Sequence, residues 1–216
     1  MWAKLFLLSI LQLNFVQINS KIIKHFLKGF CMDYKLNGEL RIAISGKSGC
    51  GNTTVSGLLS EKLGIKLINY TFRQLAAEKG MTLAQVIEAA KNDDSYDKYV
   101  DKHQVELALK ESCVLGSRLA IWMLKEADFK VYLFASDETR AMRVYNREGG
   151  DLQKIKDFTA MRDSEDTSRY KTFYNIDNND YSFADLIIDV NTKTPDEIVQ
   201  IIIDKLLEKE LIFQNS

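Results

Sequence analysis

Proline is almost missing from this 216-residue chain: the one instance is Pro195, so no proline-rich linker divides it. Histidine is as scarce, and His25 and His103 cannot form a histidine metal cluster. The three cysteines, Cys31, Cys50 and Cys113, have neither metal nor redox spacing. An odd, scattered set suits a reducing compartment. Neither charge dominates: 29 basic and 30 acidic side chains leave a net charge of −1. That balance gives no global positive field, so no nucleic-acid partner is expected. Repeats and low-complexity tracts are absent. No apolar run is long enough to span a membrane well. The longest begins after Lys4, runs over residues 5–16, and is broken by Ser9, Gln12 and Asn14. Residues 1–31 read as a signal-peptide core, as a membrane-surface helix, or as sequence upstream of a true start at Met32.

What the chain does have is alternation. Short apolar runs over residues 40–45, 65–68, 113–115, 130–135 and 184–190 read as strands. Between them lie helical patterns over residues 53–63, 72–79, 96–110, 119–124, 137–148 and about 151–174, with a last one to about 209. Another opens at Thr82, where Gln85 three places on has the form of a capping box. Gly64, Gly80 and the Gly149-Gly150 pair are helix stops. Thr194-Pro195-Asp196-Glu197 combines a cap, a proline at the first position and an acid at the third. This order predicts one α/β domain: a parallel sheet of about five strands with helices on both faces and right-handed crossovers.

The most informative stretch follows the first of these strands. Residues 46–54 read GKSGCGNTT, a glycine-rich loop between a strand and a helix. That is the context of a phosphate-binding P-loop. Its backbone N–H groups face inward, and the new helix adds unpaired N–H groups and the positive end of its dipole. The cup predicts an anionic ligand, best a nucleotide polyphosphate. Against G-x-x-x-x-G-K-[ST], Gly46, Gly51 and Thr53 are in register, while Asn52 stands at the lysine position. Thr53 can offer a hydroxyl to Mg²⁺. Lys47 either swings over the phosphates or is a solvated loop residue. Cys50, near a helix N-terminus, is either a thiol of lowered pKa or an inert loop residue.

With these segments in this order, residues 40–207 resemble the nucleoside monophosphate kinases, and most closely cytidylate kinases of the archaeal type. The resemblance rests on the loop and on residues 68–76 (INYTFRQLA), 101–108 (DKHQVELA), 114–123 (VLGSRLAIWM), 162–170 (RDSEDTSRY) and 187–192 (IIDVNT). It implies the three-layer P-loop NTPase fold, with residues 32–216 as the kinase domain. Within it, about 69–110 would form a helical region that binds the nucleoside monophosphate, and about 147–175 a helical lid. It implies transfer of the γ-phosphoryl group of ATP to CMP or dCMP, with ATP as co-substrate and Mg²⁺ as cofactor. An enzyme with those substrates works in the cytoplasm, which suits a start at Met32. Without residues 1–31, no stable membrane association is expected, and the chain is expected to be a monomer.

The resemblance also distributes roles. Gly46, Lys47, Ser48, Gly49, Cys50, Gly51, Asn52, Thr53 and Thr54 would hold ATP, and Thr53 the Mg²⁺. Arg73 and Arg118 would hold the monophosphate. Arg162 and Arg169, seven apart on one helix face, would join Lys47 as catalytic groups that stabilise the transferring charge, and Arg147 is placed to join them. Asp101 and Gln104, one turn apart, either read a cytosine edge or are exposed polar positions. His103 reads as solvated, and Arg140 and Arg143 read as a solvated helix face paired with nearby acids. Tyr170, Phe173 and Tyr174 read as helix packing. Two features keep other functions open. Asn52 lacks the lysine's charge, and Gly116 stands where such kinases usually place an acid. A weakly catalytic nucleotide-binding protein, or a kinase for UMP or AMP, is the alternative.

Overall fold

The structure is a computed structural model that describes residues 33–215. The readings of residues 1–31 and the start at Met32 lie outside them. In chain order the elements are β1 (Tyr34–Leu36), β2 (Arg41–Ser45), α1 (Asn52–Leu63), β3 (Lys66–Ile68), α2 (Phe72–Glu78), α3 (Leu83–Ala90) and α4 (Ser95–Ala108). There follow β4 (Cys113–Gly116), α5 (Ala120–Met123), β5 (Phe129–Phe134), α6 (Asp137–Glu148), α7 (Leu152–Tyr174), β6 (Leu186–Asp189), α8 (Pro195–Glu208) and β7 (Ile212–Gln214).

Five strands form one parallel sheet in the order β3-β4-β2-β5-β6. Successive side chains of a strand point to opposite faces, so a strand covered on both sides must be apolar throughout. In β2, Ile42 and Ile44 enter one core, Ala43 enters the other, and all three are fully buried. β4 divides likewise, Val114 to the first core and Leu115 to the second. The first core is closed by α1 and α8, the second by α4 and α5. This is the three-layer arrangement expected from the sequence.

Local chemistry sets the boundaries. Gly64 ends α1 in the left-handed region, and Thr82 with Gln85 forms the capping box of α3. Thr194, Pro195 and Glu197 start α8 as their pattern implies. That helix buries Ile198, Val199, Ile202, Ile203 and Leu206, each worth roughly 1.5–3 kcal/mol relative to exposure. A third cluster, built on Tyr70, Leu75, Ala76, Val86 and Val100, packs α2, α3 and α4 together beside the sheet.

Two expectations needed correction here. The lead-in before the first strand is itself a strand. β1 pairs antiparallel with β7, Tyr34 opposite Gln214 and Leu36 opposite Ile212, and Ile212 is fully buried. Three-residue strands carry too little periodicity to register, and their partner comes from the far end of the described chain. His103, read as solvated, is flanked by aromatic rings. It stacks on Tyr99 at 5.4 Å and meets the edge of Tyr70 at 4.7 Å between ring centroids.

Candidate active site

The loops that leave the C-terminal ends of the parallel strands line one cavity of about 1540 Å³. Ligands of open α/β sheets bind at that edge. The glycine-rich loop forms one end. Gly46 tolerates no side chain, because a Cβ there would meet the Leu133 carbonyl oxygen at 2.5 Å. Gly49 has φ +87°, and a Cβ there would lie 2.9 Å from the Arg140 carbonyl oxygen, so α6 closes the loop's outer side. Gly51 precedes α1 without a capping side chain. The N–H groups of Asn52, Thr53 and Thr54 therefore donate to nothing among the described residues. With no acid in the first turn of α1, this is an electropositive cup.

Asn52 works within the loop. Its amide nitrogen donates to the Gly46 carbonyl oxygen at 2.6 Å, closing the loop on itself, and its Oδ1 is buried without a partner among the described residues. The loop's own cation lies just after its first glycine. Lys47 is one-third exposed and 4.0 Å from Asp163 on α7. Thr53 faces the cavity. Gly116 also has a steric cause: a Cβ there would lie 2.4 Å from the Ser56 hydroxyl of α1. The β4 end therefore carries no side chain, acidic or otherwise.

Two readings change at this loop, and the two open for Cys50 are narrowed to one. Arg140, read as solvated, is 1% exposed. It donates to the Ser48 carbonyl oxygen at 3.0 Å, to Asp137 at 2.6 Å and to Asp163 at 2.5 Å. Arg143 donates to the Val190 carbonyl oxygen at 2.5 Å and reaches those of Gly49 and Cys50 at 3.4 Å. The acid partners were legible, but the packing of α6 against the loop was not. The signal available was position: both arginines fall in the first two turns of a helix that starts at a strand's C-terminal end, where the ligand edge must be. Cys50 is 2% exposed, and burial pushes its thiol pKa up, outweighing Arg140, which pulls it down. It is inert rather than activated.

The opposite end of the cavity collects arginines. Arg118, from the loop after β4, donates to Asp166 on α7. Arg169 donates to Asp166 at 2.9 Å and to Asp97 on α4 at 2.7 Å. Arg162, half-buried on the same helix, has no hydrogen bond or ion pair among the described residues. Burial lowers its pKa, and the neighbouring Arg118 lowers it further. Burial also raises the pKa of Asp97, against the pull of Arg169. Arg147 lines the cavity but pairs with Glu148 in solvent. Arg73 is exposed on the first turn of α2 and is not part of the cavity wall.

Between the two ends, Asp101 and Gln104 of α4 line the wall. Neither is the exposed polar position that was one reading of the sequence. Gln104 is 5% exposed, and its Oε1 is buried without a hydrogen-bond partner among the described residues. Asp101 accepts from the Tyr174 hydroxyl at 2.9 Å, and burial raises its pKa to about 6. Tyr170 is buried as expected of packing, whereas Tyr174, also read as packing, donates its hydroxyl to Asp101 of the cavity wall. Asp97 was likewise missed: a lone acid on a charged helix face carries no signal until its partner is seen.

Comparisons with known proteins agree with this geometry. Residues 41–192 match the model of the cytidylate kinase-like family. Cytidylate kinase 2 of Borreliella burgdorferi is 44% identical over 176 residues, which is 80% of this chain and 98% of that protein. The cytidylate kinase of Archaeoglobus fulgidus is 39% identical over 175 residues, 80% of this chain and 97% of the other. Among solved structures, shikimate kinase from Acinetobacter baumannii in complex with shikimate superposes with TM-score 0.55 at 21% identity. That match covers 81% of this chain and 96% of the other, a likeness of fold. With its glycine-rich loop at one end of the cavity and its arginines at the other, the chain belongs to the cytidylate kinase-like family.

Proposed function

We propose that this chain transfers the γ-phosphoryl group of ATP to CMP or dCMP, giving ADP and CDP or dCDP. The observation that carries the proposal is Arg162. It is a half-buried cation that makes no ion pair among the described residues and lies near Arg118, Asp166 and Arg169, in the same cavity as the phosphate cup. Burying an unpaired charge is costly, and an anionic ligand offsets that cost.

Phosphoryl transfer asks a protein mainly to position two substrates and to neutralise their charge. The amides of residues 46–54 hold the triphosphate, with Lys47 as the mobile cation. Arg118 and Arg169 take the acceptor phosphate, and Arg162 faces the group in transit. Arg73, exposed at the start of α2, reaches the acceptor only if that helix approaches. Asp101 and Gln104 face the base. Residues 69–110 act as the acceptor-binding region and 147–175 as the lid, which closes to keep water from the γ-phosphoryl group.

The donor set fits magnesium that arrives with the triphosphate. This ion keeps several waters and takes one or two protein oxygens together with phosphate oxygens. The Thr53 hydroxyl, facing the cavity, is such an oxygen. When bound, the ion neutralises and orients the phosphate oxygens. The chain acts as a cytoplasmic protein in this reading, and no helix among the described residues is long and apolar enough to cross a membrane.

The test is a coupled assay for ADP with ATP and magnesium, offering CMP, dCMP, UMP and AMP in turn. Fastest turnover with CMP or dCMP is expected. Nucleotide binding without turnover would overturn the assignment as an active kinase, and a preference for AMP would overturn the acceptor.

A further inference from the structure

The wall that faces the acceptor base is held by a residue of the lid helix. Tyr174 is the last residue of α7, and Asp101 lies in the middle of α4. The Tyr174 hydroxyl donates to Asp101 Oδ2, and Oδ1 has no hydrogen bond among the described residues. Gln104, one turn along α4, presents a buried Oε1 that no described residue satisfies. Both side chains line the cavity. The wall therefore offers acceptor oxygens at two successive turns of one helix.

We propose that Tyr174 is a specificity-determining positioning residue. Its hydroxyl holds the Asp101 carboxyl as a pure acceptor, so the site prefers a pyrimidine with an amino group at C4 over one with a carbonyl oxygen there. An ionised carboxylate only accepts, whereas a protonated one also donates. Cytosine presents N–H donors at C4 and uracil presents an acceptor. The charge state of Asp101 thus becomes the base preference of the site. This inference rests on the reading that Asp101 and Gln104 face the acceptor base.

The electrostatics around Asp101 put its switch in an accessible range. Burial raises its pKa to about 6. The Tyr174 hydrogen bond opposes that rise, as do Arg169 on α7 and Arg118 beyond β4, while Asp97 on α4 reinforces it. At neutral pH the carboxyl is mainly ionised and accepts. Below about 6 it gains a proton, and the discrimination against a C4 carbonyl weakens. Removing the Tyr174 hydroxyl removes one influence that favours the ionised form, so the loss of discrimination moves to higher pH.

The experiment measures the affinities of the full chain for CMP and UMP by titration calorimetry between pH 5 and 8. Wild type is compared with Tyr174→Phe and Asp101→Asn. The ratio of the two affinities cancels titrations common to both nucleotides, and binding is read without turnover. In wild type the preference for CMP is expected to fall on acidification with a midpoint near 6. In Tyr174→Phe the midpoint is expected to move upward by about 1 pH unit, the scale of one hydrogen bond to a charged group. In Asp101→Asn the ratio is expected to be lower and flat with pH, because an amide both donates and accepts. If Asp101→Asn flattens the ratio but Tyr174→Phe leaves the midpoint in place, Tyr174 has no such role and the base-facing reading survives. If Asp101→Asn binds both nucleotides with the wild-type ratio at every pH, the base-facing reading of Asp101 fails and this inference fails with it. Melting temperatures recorded beside the titrations identify any variant that has not folded.

Discussion

At the scale of single residues, Arg162 and Asn52 show why the loop and the arginines belong to one account. Arg162 is held half-buried near Arg118, Arg169 and Asp166 and makes no ion pair of its own among the described residues. A purely structural arginine there would destabilise the fold, so its removal should separate stability from activity. Arg162→Gln is expected to lower kcat/KM for CMP by about 10- to 100-fold, since a hydrogen bond to a charged group is worth roughly 1.5–3 kcal/mol. Its melting temperature should equal or exceed that of wild type. A variant that melts early and keeps its activity would give Arg162 a structural role instead. Asn52 teaches the reverse lesson. From the sequence it is a missing lysine; in the structure it is the residue that closes the loop through the Gly46 carbonyl. The sequence shows which charge is absent, but not that the side chain present has other work.

At the scale of elements, the legible part of the fold was whatever local chemistry specifies. The caps at Thr82 and Thr194, the stop at Gly64 and the unbroken apolar strand β2 are written in adjacent residues. Contacts between distant elements were not written there. The pairing of β1 with β7, the stacking of His103 between tyrosines and the seating of α6 on the loop all depend on partners remote in sequence. Arg140 is the strongest case. It ties α6, the loop and α7 through Ser48 and Asp163. Arg140→Met leaves Asp163 without its main partner, and breaking a buried pair in this way costs about 3 kcal/mol. Urea denaturation should show a loss of that size, whereas a loss below about 0.5 kcal/mol, the range of ordinary surface substitutions, would contradict it. The contact of α1 with β4 supplies a second check. Gly116→Ala forces a Cβ against Ser56 and should destabilise by about 1–3 kcal/mol, as overpacking does. Adding Ser56→Gly should recover part of that loss. Additive losses in the double variant would mean that the two sites do not interact.

At the scale of the whole molecule, the sheet brings two groups of residues to one edge. The phosphate cup follows β2, Arg118 follows β4, and α7 carries Arg162 and Arg169 across the same cavity. Lys47 and Asp163 already reach between the loop and that helix. The sequence pointed to both ends of this cavity, because a glycine-rich loop and repeated arginines have recognisable spacing. It did not reveal Asp97, nor that Asp166, an acid it did offer to the arginines, binds both Arg118 and Arg169. In the proposed account, phosphates compete with these carboxylates for the arginines. The central claim is that the cup and the arginines act on one phosphoryl group and pass it to a nucleotide rather than to water. Phosphorus NMR of the full chain with ATP, magnesium and CMP tests it most directly. The account predicts that ADP and CDP accumulate in equal amounts with little inorganic phosphate. Accumulation of ADP and inorganic phosphate without CDP would contradict it.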